Sequence, residues 1–339
     1  MPEAVCLGEL LVDFVSVEKD VALARLPGFV GAAGGAPANV AVGLARLGVS
    51  AGFIGKVGDD PFGEHLRRTL EAEGVDTAYL RRAPGVRTTL AFVASHSDGR
   101  KDICFYRNPG ADMLLTAEEV NGEYLRSARH PPDGRRASTA GGQARLFHFG
   151  SVSLSRSPAR EATMRAARLA REAGLLVSYD PNWRPGLWSD EVEAKGLIWK
   201  AMELATVVHC AEEEWEFITG TQDLEVGAAR VREAGARLVV VTQGEEGCYW
   251  DDGESRGQAP GFRVEVVDPL GAGDAFVAAM LCRLLRGDLP PEGGLGEERL
   301  RGITSYANAA GALTCTKRGV IPALPTATEV GEFLAARGG

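Results

Sequence analysis

Paired cysteines are missing from this chain of 339 residues. Cys6, Cys104, Cys210, Cys248, Cys282 and Cys315 are scattered singly, with no CxxC pair and no Cys/His cluster at zinc spacing. A disulfide-framed secreted scaffold and a structural zinc module are therefore excluded, and buried, reduced thiols in a cytoplasmic protein are the ordinary reading. No apolar run approaches the roughly 18 residues that a membrane helix needs. The opening MPEAVCLGELLVDF lacks a basic leader and a small-residue cleavage site, so it reads as a first strand and not as a signal peptide. Positive charge is also in deficit. A formal net charge of −9 argues against nucleic acid or an anionic membrane as the main partner, while leaving room for a local cationic pocket. The five histidines share no spacing and suggest no catalytic role, and no internal repeat is visible. Neither GxxxxGK[ST] nor a GxGxxG after the first strand occurs, which removes the two common nucleotide fingerprints.

What is present is a repeating grammar. Hydrophobic residues make up 45% of the chain, enough for one large domain or two modest ones. Short apolar runs read as strands at Ala4–Leu7, Ala51–Ile54, Thr89–Ala94, Ile103–Tyr106, Leu146–Phe149, Leu175–Tyr179, Val207–His209, Leu238–Thr242 and Arg263–Val267. Helix-period segments at Asn39–Leu47, Phe62–Glu73, Ser157–Ala173 and Glu225–Ala234 each run into a glycine, at 48, 74, 174 and 235. Glycine is the natural helix terminator because it accepts a left-handed backbone. Helix, glycine, buried strand, repeated, is the pattern of an α/β fold with a mostly parallel central sheet flanked by helices. Residues 10–33 and 85–110 are β-rich without intervening helices and suggest a small accessory sheet. Residues 127–144 are polar and rich in proline and glycine, and read as a loop insertion; residues 286–299 read as a second loop.

One stretch stands out, VVDPLGAGDAF at 266–276. It reads as a strand running through a bare loop into an apolar helix. The N-terminus of such a helix presents unpaired N–H groups to an anion, and Gly271 and Gly273 let backbone approach it. A carboxylate at that point repels phosphate, but it suits a base that takes a proton from an alcohol attacking phosphate. In isolation the ordinary reading is that Asp274 is a helix cap and the glycines a tight turn. A second segment, GGAPANVAVGLARLG at 34–48, sets glycines and a proline ahead of Asn39, whose amide both donates and accepts, as polyol recognition requires; a loop with an ordinary Asn cap is its alternative.

Together these segments, with FIGKVGDDPFG, resemble the two signature regions of the PfkB (ribokinase-like) carbohydrate kinases. The resemblance continues along nearly the whole chain through GELLVDF, RTTLAFV, FYRNPGADMLL, SYDPNWRPGLW, EEEWEFITG, VTQGEEGCYW and ANAAGALTCTKRGVIPALP, and within the family it is nearest to fructokinases. It implies a single kinase domain over 1–339 with a Rossmann-like ribokinase fold. A small β-sheet lid would be drawn from about 10–33 and 85–110, and a homodimer would form through that lid. It implies ATP-dependent phosphorylation of a sugar primary hydroxyl, with D-fructose giving D-fructose 6-phosphate. Alternatives are a 2-keto-3-deoxygluconate kinase, another sugar or nucleoside kinase, or a non-catalytic family member.

By resemblance Asp274 is the general base, and Gly271, Ala272 and Gly273 with Asp274 form the anion hole. Sugar contacts fall on Asp13, Gly34, Gly35 and Asn39, with Arg107, Asn182 and Arg184 reaching sugar or phosphate. Nucleotide contacts fall on Thr242, Gly244, Glu214 and Asn308. Mg²⁺ would accompany ATP, and Asp268 resembles a residue that holds a monovalent cation such as K⁺. Arg107 has a surface role on a lid strand as its alternative, Asp13 a structural strand-end role, and Glu212–Glu214 a solvated helix start. Two departures from the family pattern are present: Pro269 and Leu270 stand where two threonines are common, and Ala211 heads the motif otherwise written NxxE.

Overall fold

A computed structural model describes residues 1–96, 101–125, 144–287 and 293–337. The loop insertion thus lies outside the described residues except for Ala144, as does the middle of the second loop. The strands are β1 (Ala4–Leu7), β2 (Leu11–Ser16), β3 (Phe29–Gly34), β4 (Ala51–Gly58), β5 (Asp76–Ala83), β6 (Leu90–Ser95), β7 (Lys101–Tyr106), β8 (Leu146–Gly150), β9 (Leu176–Asp180), β10 (Val207–Ala211), β11 (Leu238–Thr242), β12 (Gly247–Asp251) and β13 (Arg256–Pro260). The helices are α1 (Ala36–Arg46), α2 (Pro61–Ala72), α3 (Ala159–Glu172), α4 (Glu191–Met202), α5 (Glu212–Thr219), α6 (Leu224–Glu233), α7 (Ala272–Gly287), α8 (Glu297–Cys315) and α9 (Ala327–Ala335).

Nine strands form the main sheet in the order β13-β12-β11-β10-β9-β8-β1-β4-β5. All neighbours from β5 to β11 pair in parallel, and only β12 and β13 are antiparallel. Alternate residues of each strand feed opposite faces. Cys6, Phe53, Val207 and Val240 pack toward α1, α7 and α8, while Leu7, Ile54, Val208 and Val241 pack toward α3 to α6. The inner parallel strands are mostly apolar because both faces are covered, whereas the edge strand β5 (DTAYLRRA) is not. The glycines at 48, 74, 174 and 235 all have positive φ, between 76° and 124°, as their terminating role demands.

A second sheet, ordered β3-β2-β6-β7, draws its strands from the β-rich stretches around 11–34 and 90–106. Its rings form a chain: Phe14 stacks on Phe92 at 5.1 Å, and Phe29 and Tyr106 meet Phe92 edge-on at 5.1 and 5.2 Å.

Two sequence expectations need correction. Arg263–Val267 is not a strand. Val266 and Val267 are exposed, and the Val267 and Asp268 N–H groups both donate to the Cys315 carbonyl at the end of α8, at 2.8 and 3.1 Å. The chain at 267–268 is thus tied to a helix terminus and not to the sheet, whose edge is formed instead by the β12–β13 hairpin. Nor is Asn39 a helix cap. Gly35, at φ 113°, caps α1, and Asn39 lies one turn inside.

Helices α1 and α7 pack against each other at very short range. A Cβ on Gly43 would come within 2.6 Å of the Ala278 Cβ, so the two helices touch closer than side chains ordinarily permit. Gly43→Val is expected to lower unfolding free energy by about 1–3 kcal/mol, the usual cost of overpacking, measured by urea denaturation.

Candidate active site

Asn39 precedes Gly43 by four residues on α1, and Asp274 precedes Ala278 by four on α7. One helix turn from the close contact, the two side chains therefore face each other, as the i, i+4 geometry requires. Asn39 Nδ2 donates to Asp274 Oδ2 at 2.7 Å. The pair borders a cavity of about 860 Å³ past the carboxyl ends of β1, β9, β10 and β11, where open parallel sheets place ligands. Val93, Ile103 and Phe105 of the small sheet line its outer side.

The floor is the start of α7. Gly271, at φ 84°, packs so closely on Val320 that a side chain there would collide with it. Gly273 is the opposite case, since a Cβ there would meet nothing within 4 Å. The Gly273 and Asp274 N–H groups lie in the first helical turn and have no acceptor within the helix. Ala272 N–H leans on the Pro269 carbonyl at 3.4 Å.

The wall has two buried acceptors without partners. Glu9 Oε1 accepts from the Ala36 N–H at 3.0 Å, but Glu9 Oε2 and Asn39 Oδ1 are paired with nothing. Each residue is only 4% exposed. Buried orphans of this kind call for a donor, and a hydroxyl-bearing ligand supplies one. Backbone also approaches closely here: a side chain on Gly35 would strike the Glu9 carbonyl, and one on Gly34 the Asp13 carboxylate.

Acids dominate the lining. Glu9, Asp13, Asp180, Glu213, Glu214 and Asp274 face two basic residues, Arg184 and His209, among the described residues. Burial pushes the Asp274 carboxyl up to about 7, the hydrogen bond from Asn39 opposing the rise and the Asp180 charge adding to it. Glu9 is likewise raised to about 7 by burial. Glu214 rises to about 7 through burial and the Asp180 charge, with both oxygens engaged: Oε2 accepts from the Trp183 N–H at 2.5 Å and Oε1 from the Ala211 N–H at 3.1 Å. Among the described residues no three His, Cys, Asp or Glu side chains form a metal-binding group. A divalent ion here would keep water and phosphate oxygens as most of its ligands.

The sequence-derived residues divide by placement. Asp13, Gly35, Asn39, Asn182, Arg184, Glu214, Thr242, Gly271, Gly273 and Asp274 line the cavity. Gly34 and Ala272 sit beside lining residues, and Gly244 opens the turn that follows Thr242. Arg107 is turned into the wall, where its guanidinium donates to Asp112 at 2.7 Å, Ser155 at 3.0 Å and the Val152 carbonyl at 3.3 Å. Asn308 spends its amide on the Ala259 and Pro260 carbonyls, both at 3.1 Å, holding β13. Asp268 accepts from the Leu270 N–H at 3.0 Å and the Gly319 N–H at 3.1 Å, so it braces the loop. Sequence reasoning missed Glu9, Asp180 and His209. The signal available for the last two was their position at the carboxyl ends of buried parallel strands.

The comparisons with known proteins agree with this geometry. The pfkB family carbohydrate kinase model matches residues 1–327. The chain belongs to that family. It is 43% identical to probable fructokinase-4 of Arabidopsis thaliana over 97% of this chain and 96% of the relative. The solved fructokinase of Xylella fastidiosa with bound ATP superposes with a TM-score of 0.85 at 32% identity, covering 100% of each chain. The fructokinase of Vibrio cholerae O395, solved with fructose, ADP and calcium ion, superposes at 0.81 with 32% identity over 98% of this chain and 99% of the other. The fold is thus ribokinase-like, and the chain is an ATP-dependent carbohydrate kinase.

The raised Asp274 pKa has a consequence for stability. The folded state holds the proton that the unfolded chain has already lost, so stability falls as pH rises from about 4 to about 7 and levels off above. Asp274→Asn removes that term while keeping a carbonyl to accept from Asn39. Thermal unfolding at pH 8 is expected to occur at a higher temperature in the variant than in the wild type, with the gap shrinking toward pH 4.

Proposed function

We propose that this kinase transfers the γ-phosphoryl group of Mg·ATP to the primary hydroxyl of D-fructose, giving D-fructose 6-phosphate and ADP. The observation that carries this reading is Asp274: a half-buried carboxylate held by Asn39, at the mouth of a helix whose open N–H groups face the same cavity. The unpartnered Glu9 and Asn39 acceptors suit a polyol, and the fructokinases aligned over nearly the full chain favour fructose among polyols.

In this reading Asp274 accepts the proton of the hydroxyl as its oxygen forms a bond to the γ-phosphorus and the bond to the departing ADP oxygen breaks. The N–H groups of Gly273 and Asp274, with Gly271 and Ala272 shaping the turn, receive the charge on the transferring group. Asp13, Gly35, Asn39 and Glu9 hold the sugar. Arg184 and Thr242 face the nucleotide. Mg²⁺ supplies the neutralisation that an acid-lined cavity cannot. Asp268 braces the loop that a K⁺ ion would also steady. A keto-acid substrate is less well served, because Arg107 is committed to Asp112 and leaves Arg184 as the cation for a carboxylate.

Assembly and setting fit the same reading. The exposed Val30 and Tyr106 of the small sheet offer an apolar surface for a homodimer through the lid, which sedimentation of the intact chain tests: a monomer at micromolar concentration contradicts it. The six free cysteines suit a reducing, cytoplasmic setting.

A coupled ADP-release assay with Mg·ATP against fructose, 2-keto-3-deoxygluconate, ribose and adenosine tests the proposal. Fructose is expected to give the highest kcat/KM. Asp274→Asn should lose about 10²–10⁴-fold in turnover. Because the base must be ionised, wild-type activity should fall as pH drops below about 7. Turnover confined to the keto acid moves the assignment there.

A further inference from the structure

Beside Asp274 lies a buried histidine that the transfer step leaves unused. His209 sits on β10, one residue beyond Val208, whose register partner on β9 is Tyr179. Its ring is therefore level with Asp180 at the end of β9. Nδ1 is 3.1 Å from Asp180 Oδ2, and Nε2 is 3.3 Å from the Thr242 hydroxyl on β11. The ring also packs on Phe276 of α7, with centroids 5.4 Å apart. His209 is 2% exposed, yet both it and Thr242 border the cavity.

This bracket has two chemical states with different consequences for Thr242. A neutral ring donates from Nδ1 to Asp180 and leaves Nε2 as an acceptor. Nε2 then takes the threonine O–H, and the hydroxyl proton is turned inward. A protonated ring donates from both nitrogens, so the threonine oxygen becomes an acceptor and its own proton is released. Its protein alternative is the Cys210 carbonyl, at a long 3.5 Å, so the released proton is available to the cavity.

We propose that His209 is a positioning residue for the nucleotide: clamped by Asp180, it acts as a buried cation that turns the Thr242 hydroxyl outward to donate to a phosphate oxygen. The inference rests on the kinase reading and goes beyond it by assigning a charge state to a residue outside the transfer step.

The surroundings support the charged form. The groups around His209 are Asp180 after β9, Glu214 on α5, Asp274 on α7, His148 on β8 and Arg184 in the loop after β9. Burial opposes the charge, but Asp180 first and then Glu214 and Asp274 favour it, and His209 is held above the ordinary histidine value. The Asp180 carboxyl is lowered in return, chiefly by His209, against its own burial. His148 is the contrast. It meets Ser178 at 3.1 Å in place of a carboxylate, and burial lowers it to about 4, so it stays neutral. With Arg184 as the other basic lining residue among those described, a cation at 209 also supplies scarce positive charge toward the phosphates.

Three variants test this by MgATP binding calorimetry and by steady-state kinetics across pH 5.5–9.5, a range of about four pH units chosen to span both carboxyl and imidazole titrations. In the wild type, kcat/KM for MgATP should show an alkaline limb above the usual histidine range as well as the acid limb of Asp274. His209→Gln should weaken MgATP binding and raise its KM by about tenfold or more, leave the fructose KM within about twofold, and abolish the alkaline limb. His209→Lys, which keeps the charge, should restore MgATP affinity and move the limb toward the lysine range. Thr242→Val should reproduce the His209→Gln defect without disturbing the buried dyad, and the double variant should be no worse than either single one. The proposal is overturned if His209→Gln keeps wild-type MgATP affinity and pH profile, or if His209→Lys is as impaired as His209→Gln. Should either histidine variant fail to fold, Thr242→Val with unaltered MgATP affinity overturns it alone. Nucleotide binding without sugar turnover would sink the fructose reading and leave this one to be judged on affinity; absence of MgATP binding by the wild type would overturn both.

Discussion

Asn39 and Asp274 meet because two helices approach each other at Gly43, where a side chain would have no room against Ala278. That contact fixes the distance between helix α1, which carries Asn39, and helix α7, which carries Asp274. One turn toward the cavity, it leaves the gap that a single 2.7 Å hydrogen bond spans. The rest of the site hangs on this juxtaposition. The main sheet supplies Asp180, His209 and Thr242 from the ends of adjacent strands, and the small sheet closes the outer side. Neither would share a cavity with Asp274 if α7 were displaced by a helix diameter. The bond also restrains Asp274 in orientation: one oxygen is held by Asn39, and the other is left for a proton.

The electrostatic arrangement has an internal tension. Six acids line a cavity that must admit a polyanion, against two basic side chains among the described residues. Three features relieve it. Glu9, Glu214 and Asp274 are all raised to about 7, so they are not fully charged near neutral pH. The α7 terminus offers N–H groups that carry no compensating negative charge. A metal ion arriving with the nucleotide supplies the remainder. Burial, which makes the acids weak, also places the Asp274 titration near physiological pH, where the proposed base would need it.

Much of this was legible in the chain. The repeated glycine stops and doubly covered apolar strands specify the sheet, since both follow from backbone sterics and burial. The loop at 271–274 and Asn39 stood out because glycines, a carboxylate and an amide are unusual at helix starts of otherwise apolar segments, and the structure brings them to one cavity. What the sequence did not show has a common physical cause, which is that residue type does not reveal direction. Arg107 and Asn308 have the chemistry of ligand contacts, but one guanidinium closes on Asp112 and one amide on two backbone carbonyls. Val266 and Val267 look like a strand, yet both are exposed and the Val267 N–H goes to the end of α8. For His209 position near a strand's carboxyl end was the one signal; its partners come from β9 and β11 and exist only after the sheet has formed. Glu9 was passed over for the same reason, as its partner Ala36 arrives from the start of α1.

The most direct test of the account is the titration of the Asp274 carboxyl in the ligand-free protein, followed by carbon NMR on labelled aspartate and assigned with Asp274→Asn. A midpoint near 7, moving higher in Asn39→Ala as the stabilising donor is lost, is the result the account predicts. A midpoint in the ordinary aspartate range near 4, unmoved by Asn39→Ala, would contradict it, because the carboxylate would then be neither buried nor held by α1.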